Sequence, residues 1–202
     1  MTPSKTAGKS AKADTRQRLL DTARRIVLAK GYAAVGINEV LADAGVPKGS
    51  FYHFFESKDA FGEALMKSYF DDYFAILDEI TSDTQQTAAQ HLMRYWQYFH
   101  DTQAADNCQG GCLVVKLGSE ISDLSEAMRV TTNAGTAEIV SRIERMIADG
   151  VADGSVSVDE NPRETAQALY DLWLGASVMA KIQGDPAQLD RAMTVTQRVL
   201  HI

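Results

Sequence analysis

Apolar residues recur every three or four positions along most of the chain. The first strongly periodic segment runs from Asp14 to Lys30, with leucine, isoleucine and valine on one face and arginines between them, and Gly31 follows it. Because residues three and four apart share one face of a helix, this pattern predicts an amphipathic helix with a basic outer face that stops at the glycine. Residues 1–13 are small, polar and basic without apolar periodicity, and we expect them to form a disordered arm.

Two short helices are predicted next, joined by a tight turn. The first covers about Ile37 to Ala44, and the second runs from Lys48 to Phe55 after Pro47, which suits the start of a helix. Gly45 lies between them and permits a sharp turn. Two short helices joined in this way are typical of a helix-turn-helix, whose second helix lies in the major groove of DNA.

The remainder of the chain is also predicted to be helical, with polar loops between the helices. Ser57 is placed to cap a fourth helix, and apolar periodicity continues through residues 128–148, residues 165–182 and a last helix ending near Leu200. A loop rich in Gly, Asp and Ser is expected at residues 149–162. Since no segment alternates convincingly with the two-residue period of a strand, the predicted fold class is all-α.

The net charge of −7 is unevenly distributed along the chain. Residues 1–58 hold 10 Lys and Arg against 5 Asp and Glu, whereas residues 59–202 hold 10 against 22. A basic N-terminal part on an acidic remainder is the pattern expected when one small domain binds a polyanion. No apolar run approaches the roughly 18 residues of a membrane span, and the N-terminus lacks the apolar stretch of a secretory signal. We therefore expect a cytoplasmic protein without a membrane partner.

The second short helix offers a group of hydrogen-bond donors to DNA. Val46 and Phe51 are expected to lock the two short helices together, which leaves the polar side chains on the outside. The candidates for contacts with phosphates and base edges are Lys48, Ser50, Tyr52, His53 and Lys58. The pattern alone also fits a plain three-helix core that does not bind DNA.

The stretch from Asp14 to Leu65 resembles the DNA-binding domain of the TetR family of bacterial transcriptional repressors. It contains the core of that family's motif almost complete, as AGVPKGSFYHFFESK from Ala44 to Lys58. The resemblance implies an all-α homodimer that binds a palindromic double-stranded operator through residues 14–60. It implies that residues 61–202 form a helical bundle for effector binding and dimerisation. By position, it assigns these side chains to phosphates or bases: Lys48, Ser50, Tyr52, His53 and Lys58.

Two further segments, residues 111–129 and 169–182, resemble the electrophile-responsive branch of the same family, which includes N-ethylmaleimide-responsive and acrylate-responsive repressors. In electrophile-responsive members a cysteine at the position of Cys112 is the sensor, and a lysine at the position of Lys181 is part of the same sensor site. The resemblance therefore implies a repressor that leaves its operator when an electrophile or oxidant modifies Cys112.

Cys112 also stands at a chemically favourable place in the sequence. It follows Gly110 and Gly111 and opens an apolar helical stretch, so we expect its sulfur in the first turn of a helix. Free N–H groups and the helix dipole favour a thiolate there. The alternative is a small buried hydrophobe, which is the usual role of a free cysteine. Cys108 is either a resolving thiol for Cys112 or incidental.

Two other functions stay open from the sequence. One is the same repressor induced by a noncovalent ligand, such as an unsaturated carboxylic acid paired with Lys181. The other is a small cysteine-dependent enzyme, which lacks an evident base and a recognisable catalytic motif. His100, Cys108 and Cys112 match no standard zinc spacing, so we expect no metal, and we expect no cofactor. The favoured interpretation is a DNA-binding regulator and not an enzyme.

Overall fold

The computed structural model describes the backbone of residues 5–202 and the side chains of residues 12–121, 123 and 125–202. This part of the chain is helical and contains no β-strand, which confirms the all-α prediction. The elements in chain order are α1 (Lys5–Lys30), α2 (Ile37–Asp43), a 3₁₀ helix (Lys48–His53), α3 (Lys58–Ile80), α4 (Ala88–Cys108), α5 (Leu113–Leu124), α6 (Glu126–Asp153), α7 (Pro162–Gln183) and α8 (Ala187–Leu200). Within residues 5–202, none of these helices combines the length and apolar composition needed to cross a bilayer.

Two helix ends differ from the sequence predictions. α1 begins at Lys5, so residues 5–13 are helical, whereas the sequence pattern predicts a disordered arm there. Alanine and lysine, which are strong helix formers, make up most of this segment. The part of the predicted arm before Lys5 lies outside the described residues. α6 continues to Asp153, so the long loop predicted at residues 149–162 is shorter in the structure.

The second helix of the helix-turn-helix is a 3₁₀ helix that ends at His53, and not an α-helix that reaches Phe55. At its end the Phe54 N–H donates to the carbonyl of Phe51, three residues earlier, at 2.9 Å. Phe51 and Phe55 are both buried, so packing fixes a segment that is too short for a stable α-helical ladder.

Backbone contacts divide the chain into two compact units. The first unit comprises the chain up to Tyr69 together with Lys116–Thr132, and the second comprises Phe70–Val115 and Asn133–Ile202. The sequence predicts an arm at residues 1–13, a DNA-binding domain at 14–60 and an effector domain at 61–202, whereas this division groups Lys116–Thr132 with the chain up to Tyr69. It falls inside α3, α5 and α6, so three helices continue from one unit into the other.

An aromatic cluster lies at the centre of the first unit. Phe51, Phe55 and Phe61 are buried, with ring centroids between 4.8 and 5.3 Å apart. Buried aliphatic side chains of α1 and α2 complete this core: Leu19, Leu20, Ala23, Val27, Val40 and Leu41. Because Phe51 is fixed in this core, the 3₁₀ helix presents its polar side chains outward.

A second aromatic cluster joins α4 to α7 in the second unit. The rings of Trp96 and Trp173 stack with centroids 5.1 Å apart and planes 11° apart, and Tyr95 and Phe99 pack beside Trp96. The Nε1 atom of Trp173 donates to Thr196 Oγ1 at 2.9 Å. Trp96 is fully buried, and within the described part of the chain its Nε1 atom has no hydrogen-bond partner.

Candidate functional site

A left-handed turn connects α2 to the 3₁₀ helix. Gly45 has a φ of +63°, a conformation that glycine adopts without a steric penalty. The next residue, Val46, donates its N–H to the carbonyl of Leu41 at 2.9 Å, which closes the end of α2. Phe51 has no exposed surface, so the 3₁₀ helix is anchored on its inner side.

The outer side of the 3₁₀ helix carries four of the five residues predicted to contact DNA. Lys48, Tyr52 and His53 are exposed, and Ser50 is half-buried. Tyr52 exposes 70% of its surface, which is unusual for an aromatic side chain next to a buried cluster. The arrangement leaves one cation, one imidazole and two hydroxyl groups free to meet a polar partner.

Lys58, the fifth predicted residue, is exposed at the first position of α3. Its Nζ atom lies 5.2 Å from the centre of the Tyr32 ring, and the Tyr32 hydroxyl donates to the Lys58 carbonyl at 2.5 Å. Burial raises the pKa of Tyr32, so this hydroxyl stays protonated at neutral pH. The contact with the ring positions the ammonium group without removing it from the surface.

A cleft of about 370 Å³ brings α1 into the same surface. Lys12, Thr15 and Arg18 of α1 line it together with Ser50 and His53. Lys12 and Arg18 are exposed cations that are not among the DNA contacts predicted from the sequence. The basic outer face of α1 is visible in the sequence, but the part of that face that meets the 3₁₀ helix depends on packing.

Cys112 is the residue immediately before α5, and its Sγ atom caps the helix. The Val115 N–H donates to Sγ at 3.5 Å. The sequence predicts this sulfur in the first turn of the helix, whereas the structure places Cys112 one position before that turn. The sulfur still faces the free N–H groups at the start of the helix. Cys112 exposes 6% of its surface and Cys108 exposes 3%, and neither described cysteine is in a disulfide.

The segment that leads to Cys112, which begins with the non-helical end of α4, has an unusual backbone and is held by Lys181. Asp106, Asn107 and Cys108 have φ values of 50°, 55° and 61°, in the left-handed region that non-glycine residues rarely adopt. The Nζ atom of Lys181 donates to the carbonyl of Gln109 at 2.8 Å. The structure therefore brings Lys181, from α7, to the loop that ends at Cys112.

Two buried tyrosines lie close enough to Cys112 to interact with it electrostatically. Burial raises the pKa of Tyr95 and of Tyr170, the Tyr73 hydroxyl lowers that of Tyr95 in part, and the negative charge of a Cys112 thiolate raises both. Tyr95 also exchanges a hydrogen bond with the hydroxyl of Tyr73 at 3.1 Å. Both phenols stay protonated at neutral pH, so each keeps a hydroxyl hydrogen to donate.

His100 belongs to a different set of contacts. Its Nε2 atom lies 2.9 Å from Asp190 Oδ1, and its Nδ1 atom lies 3.2 Å from Asp101 Oδ1. Among the described side chains, no three His, Cys, Asp or Glu residues converge on a position for a metal ion.

Two family models match the chain. The model described as bacterial regulatory proteins, tetR family, matches residues 19–65. The model described as tetracyclin repressor-like, C-terminal domain, matches residues 88–196. The first match contains the helix-turn-helix, and the second contains Cys112 and Lys181.

Full-length relatives show the same similarity. The chain is 33% identical over 187 residues to the HTH-type transcriptional repressor NemR of Escherichia coli (strain K12), covering 93% of this chain and 94% of that protein. It is 35% identical over 161 residues to the transcriptional regulator AcuR of Cereibacter sphaeroides, covering 79% and 73% of the two proteins. The crystal structure of the reduced form of E. coli NemR matches with a TM-score of 0.88 at 34% identity, covering 93% of this chain and 97% of that chain.

Proposed function

Because the chain belongs to the TetR family of bacterial regulatory proteins, we propose that it is a cytoplasmic transcriptional repressor that leaves its operator when an electrophile or oxidant modifies Cys112. The observation that supports DNA binding best is the polar outer side of the 3₁₀ helix, anchored by the fully buried Phe51. NemR and AcuR are named as a transcriptional repressor and a transcriptional regulator, which favours this function over an enzyme.

In the proposed complex, residues 14–60 bind the operator and the 3₁₀ helix enters the major groove. Ser50, Tyr52 and His53 approach base edges or phosphates, because a hydroxyl or imidazole both donates and accepts hydrogen bonds. Lys48 and Lys58 bind phosphates, which fix the position of the protein on the duplex. The α1 cations that line the cleft add further phosphate contacts.

The proposed homodimer forms through α7 and α8 in the region of residues 61–202. These helices pack against each other and share a strip of exposed apolar side chains: Val178, Met179, Ile182, Val195 and Val199. A group of large exposed apolar side chains marks an interaction surface. A twofold dimer presents two recognition helices, which fit half-sites about 34–36 Å apart or a multiple of that spacing.

The proposed sensing reaction is addition of the Cys112 thiolate to an electrophile. With N-ethylmaleimide, the thiol first releases its proton, the sulfur bonds to one carbon of the C=C bond, and the other carbon takes up a proton, so no group leaves. A peroxide instead oxidises the thiolate to a sulfenic acid and is reduced to water. The Val115 N–H and the N-terminal end of α5 stabilise the thiolate for either reaction.

Lys181 and the two buried tyrosines have complementary roles in this proposal. The ammonium group of Lys181, held at the Gln109 carbonyl, keeps a positive charge at the loop that carries the thiol, which favours the thiolate. Tyr95 and Tyr170 are donors for the carbonyl oxygen of the electrophile. Because Cys112 is almost fully buried, small electrophiles are expected to react faster than bulky ones.

A gel-shift assay at physiological salt tests the proposal. The protein is expected to retard DNA from the region upstream of its own gene and to release it after N-ethylmaleimide treatment. Cys112→Ser keeps a strong N-cap acceptor, so it is expected to bind the operator and to resist release. Cys108→Ser is the matched thiol control and is expected to be released like the parent. Equal release of Cys112→Ser and the parent would contradict covalent sensing.

Mass spectrometry of the induced protein separates the covalent proposal from the noncovalent one. Release with an adduct or oxidation on Cys112 supports covalent sensing. Release by an unsaturated carboxylic acid at unchanged protein mass, lost in Lys181→Met, supports a noncovalent inducer instead. Failure to retard DNA near its own gene would contradict both forms of the repressor.

A further inference from the structure

Cys112 immediately precedes α5, and two charged side chains lie further along this helix. The helix starts in the second unit, and from Lys116 onward it belongs to the first unit. Lys116 and Glu120 follow Cys112 at intervals of four residues, so they lie one and two turns along the helix. Both contact the end of α1, which lies in the same first unit.

The carboxylate of Glu120 binds two backbone N–H groups just after α1. Tyr32 donates its N–H to Glu120 Oε2 at 3.2 Å, and Ala33 donates its N–H to Glu120 Oε1. Gly31, with a φ of +82°, turns the chain so that these N–H groups point the same way, and a Cβ atom on Gly31 would lie 3.0 Å from the carboxylate. Hydrogen bonds from N–H groups to a carboxylate are stronger than neutral ones.

Lys116 binds the same end of α1 with the opposite charge. Its Nζ atom lies 3.5 Å from the carbonyl oxygen of Ala29, in the last turn of α1. The carbonyls at a helix C-terminus have no partner within the helix and carry partial negative charge, so a cation is favourable there. The N–H groups of Tyr32 and Ala33, beyond the turn, bind the Glu120 carboxylate. The cation and the anion on α5 therefore each contact a group of opposite partial charge at the end of α1.

We propose that Glu120 couples the state of Cys112 to the DNA-binding unit. The proposal rests on the proposed function, since it assumes that modification of Cys112 weakens operator binding. Alkylation adds bulk to a sulfur that is almost fully buried and that caps the first turn of α5. Because a helix is stiff along its axis, a shift of that turn moves Glu120, about 12 Å further along, off the two N–H groups.

The segment that Glu120 holds, Tyr32 and Ala33, leads directly into the helix-turn-helix. Tyr32 and Ala33 connect α1, which carries Lys12 and Arg18, to α2. The Tyr32 hydroxyl also holds the carbonyl of Lys58 at the start of α3. Loss of the carboxylate from this segment therefore loosens both flanks of the helix-turn-helix, which lowers the population of the state that fits the operator.

Amide hydrogen exchange in the full-length Cys108→Ser protein tests the link, because N-ethylmaleimide can then modify Cys112 alone. After alkylation, the amides of Tyr32 and Ala33 are expected to exchange at least about fivefold faster, the lower end of typical coupling. The amide of Val46, bonded within the turn of the helix-turn-helix, serves as the reference. Unchanged exchange at Tyr32 and Ala33, or an equal increase at Val46, would overturn the proposal.

Substitution of Glu120 gives a second measurement. Glu120→Gln keeps the size of the side chain but loses its negative charge. In this variant the amides of Tyr32 and Ala33 are therefore expected to exchange faster than in the parent before alkylation, with little further increase after it. In the parent, alkylation is expected to raise the operator Kd roughly 5- to 150-fold. In Glu120→Gln the ratio of the operator Kd values with and without alkylation is expected to fall towards 1. Asp123→Asn removes an exposed carboxylate from the same helix and is expected to behave like the parent. A Glu120→Gln ratio equal to that of the parent would overturn the proposal.

The two measurements separate this link from the proposed function. If alkylation speeds exchange at Tyr32 and Ala33 and leaves operator binding unchanged, the link stands and the proposed release fails. If alkylation releases the operator and leaves exchange at both amides unchanged, the release stands and the link through Glu120 fails.

Discussion

Thr196 is a fully buried polar residue that fixes the aromatic cluster of the second unit. Its hydroxyl accepts from Trp173 Nε1 at 2.9 Å and donates to the carbonyl of Ala192 at 2.8 Å. Thr196→Val keeps the shape of the side chain but leaves the indole N–H buried without an acceptor. We expect the free energy of unfolding, measured by urea denaturation, to fall by about 1–3 kcal/mol.

Thr194 provides a matched control on the same helix. It is exposed, and its hydroxyl bonds to a carbonyl in its own helix. Thr194→Val is expected to change the free energy of unfolding by less than about 0.5 kcal/mol, as is usual for surface positions. Equal losses for the two variants would show that the buried hydrogen bond is not the cause.

Residue type and motif resemblance identify candidate side chains, but they do not give the atoms that those side chains meet. Cys112 and Lys181 are proposed from the sequence, yet the bond from Lys181 to the Gln109 carbonyl joins segments 72 positions apart. No local spacing encodes that contact. For the same reason the sequence does not identify Arg18 as a cleft residue, since the periodicity of α1 gives its basic face but not the element that this face contacts.

At the scale of whole elements, Gly135 allows α3 and α6 to approach closely. A Cβ atom at this position would collide with the buried ring of Phe70, a rigid group that cannot move without disturbing its neighbours. Gly135→Ala is therefore expected to lower the free energy of unfolding by about 1–3 kcal/mol, despite the better helix propensity of alanine. Thermal or urea denaturation measures the change.

Gly118 on α5 serves as the control for helix propensity. A Cβ atom there meets nothing within 4 Å, and the residue is exposed. Gly118→Ala is expected to raise the free energy of unfolding by about 0.5–1 kcal/mol. A stabilising effect of both substitutions would contradict the close approach of α3 and α6.

Helical periodicity predicts the existence of these elements better than their ends or their type. The apolar pattern identifies the helix around Ile139 and Ile147, but α6 continues to Asp153 through a segment rich in Gly and Asp. There Asp153 accepts from the Ala88 N–H at the start of α4, a long-range bond that no local pattern encodes. The 3₁₀ geometry of the helix Lys48–His53 likewise depends on the burial of Phe51 and Phe55.

At the scale of the whole molecule, the apolar strip on α7 and α8 gives a test of assembly. Ile182 exposes 71% of its surface in the single chain. In a twofold dimer, Ile182→Glu places two carboxylates in the interface, and we expect the dimer dissociation constant to rise about tenfold or more, or about 1.4 kcal/mol. Analytical ultracentrifugation measures this constant. Val151→Glu, on an exposed apolar position of α6 outside the strip, is expected to leave it unchanged.

The uneven charge of the chain predicts how operator binding depends on salt. Residues 1–58 carry a balance of +5 within a protein of net charge −7, so phosphate contacts are expected from this part of the molecule. Each phosphate contact contributes about 0.9 to the slope of log K against log salt concentration. Lys48→Ala removes one contact in each protomer of the proposed dimer, so the slope is expected to decrease by about 1.8.

Arg18→Ala is expected to have a similar effect, because Arg18 lines the cleft beside the 3₁₀ helix. Arg94→Ala removes an exposed arginine from α4, in the acidic remainder of the chain, and is expected to leave the slope unchanged. Fluorescence anisotropy with an operator fragment at several salt concentrations measures all three slopes. If Arg94→Ala lowers the slope as much as Lys48→Ala, the phosphate contacts are not confined to the basic N-terminal part, and the charge asymmetry is not what directs the protein to DNA.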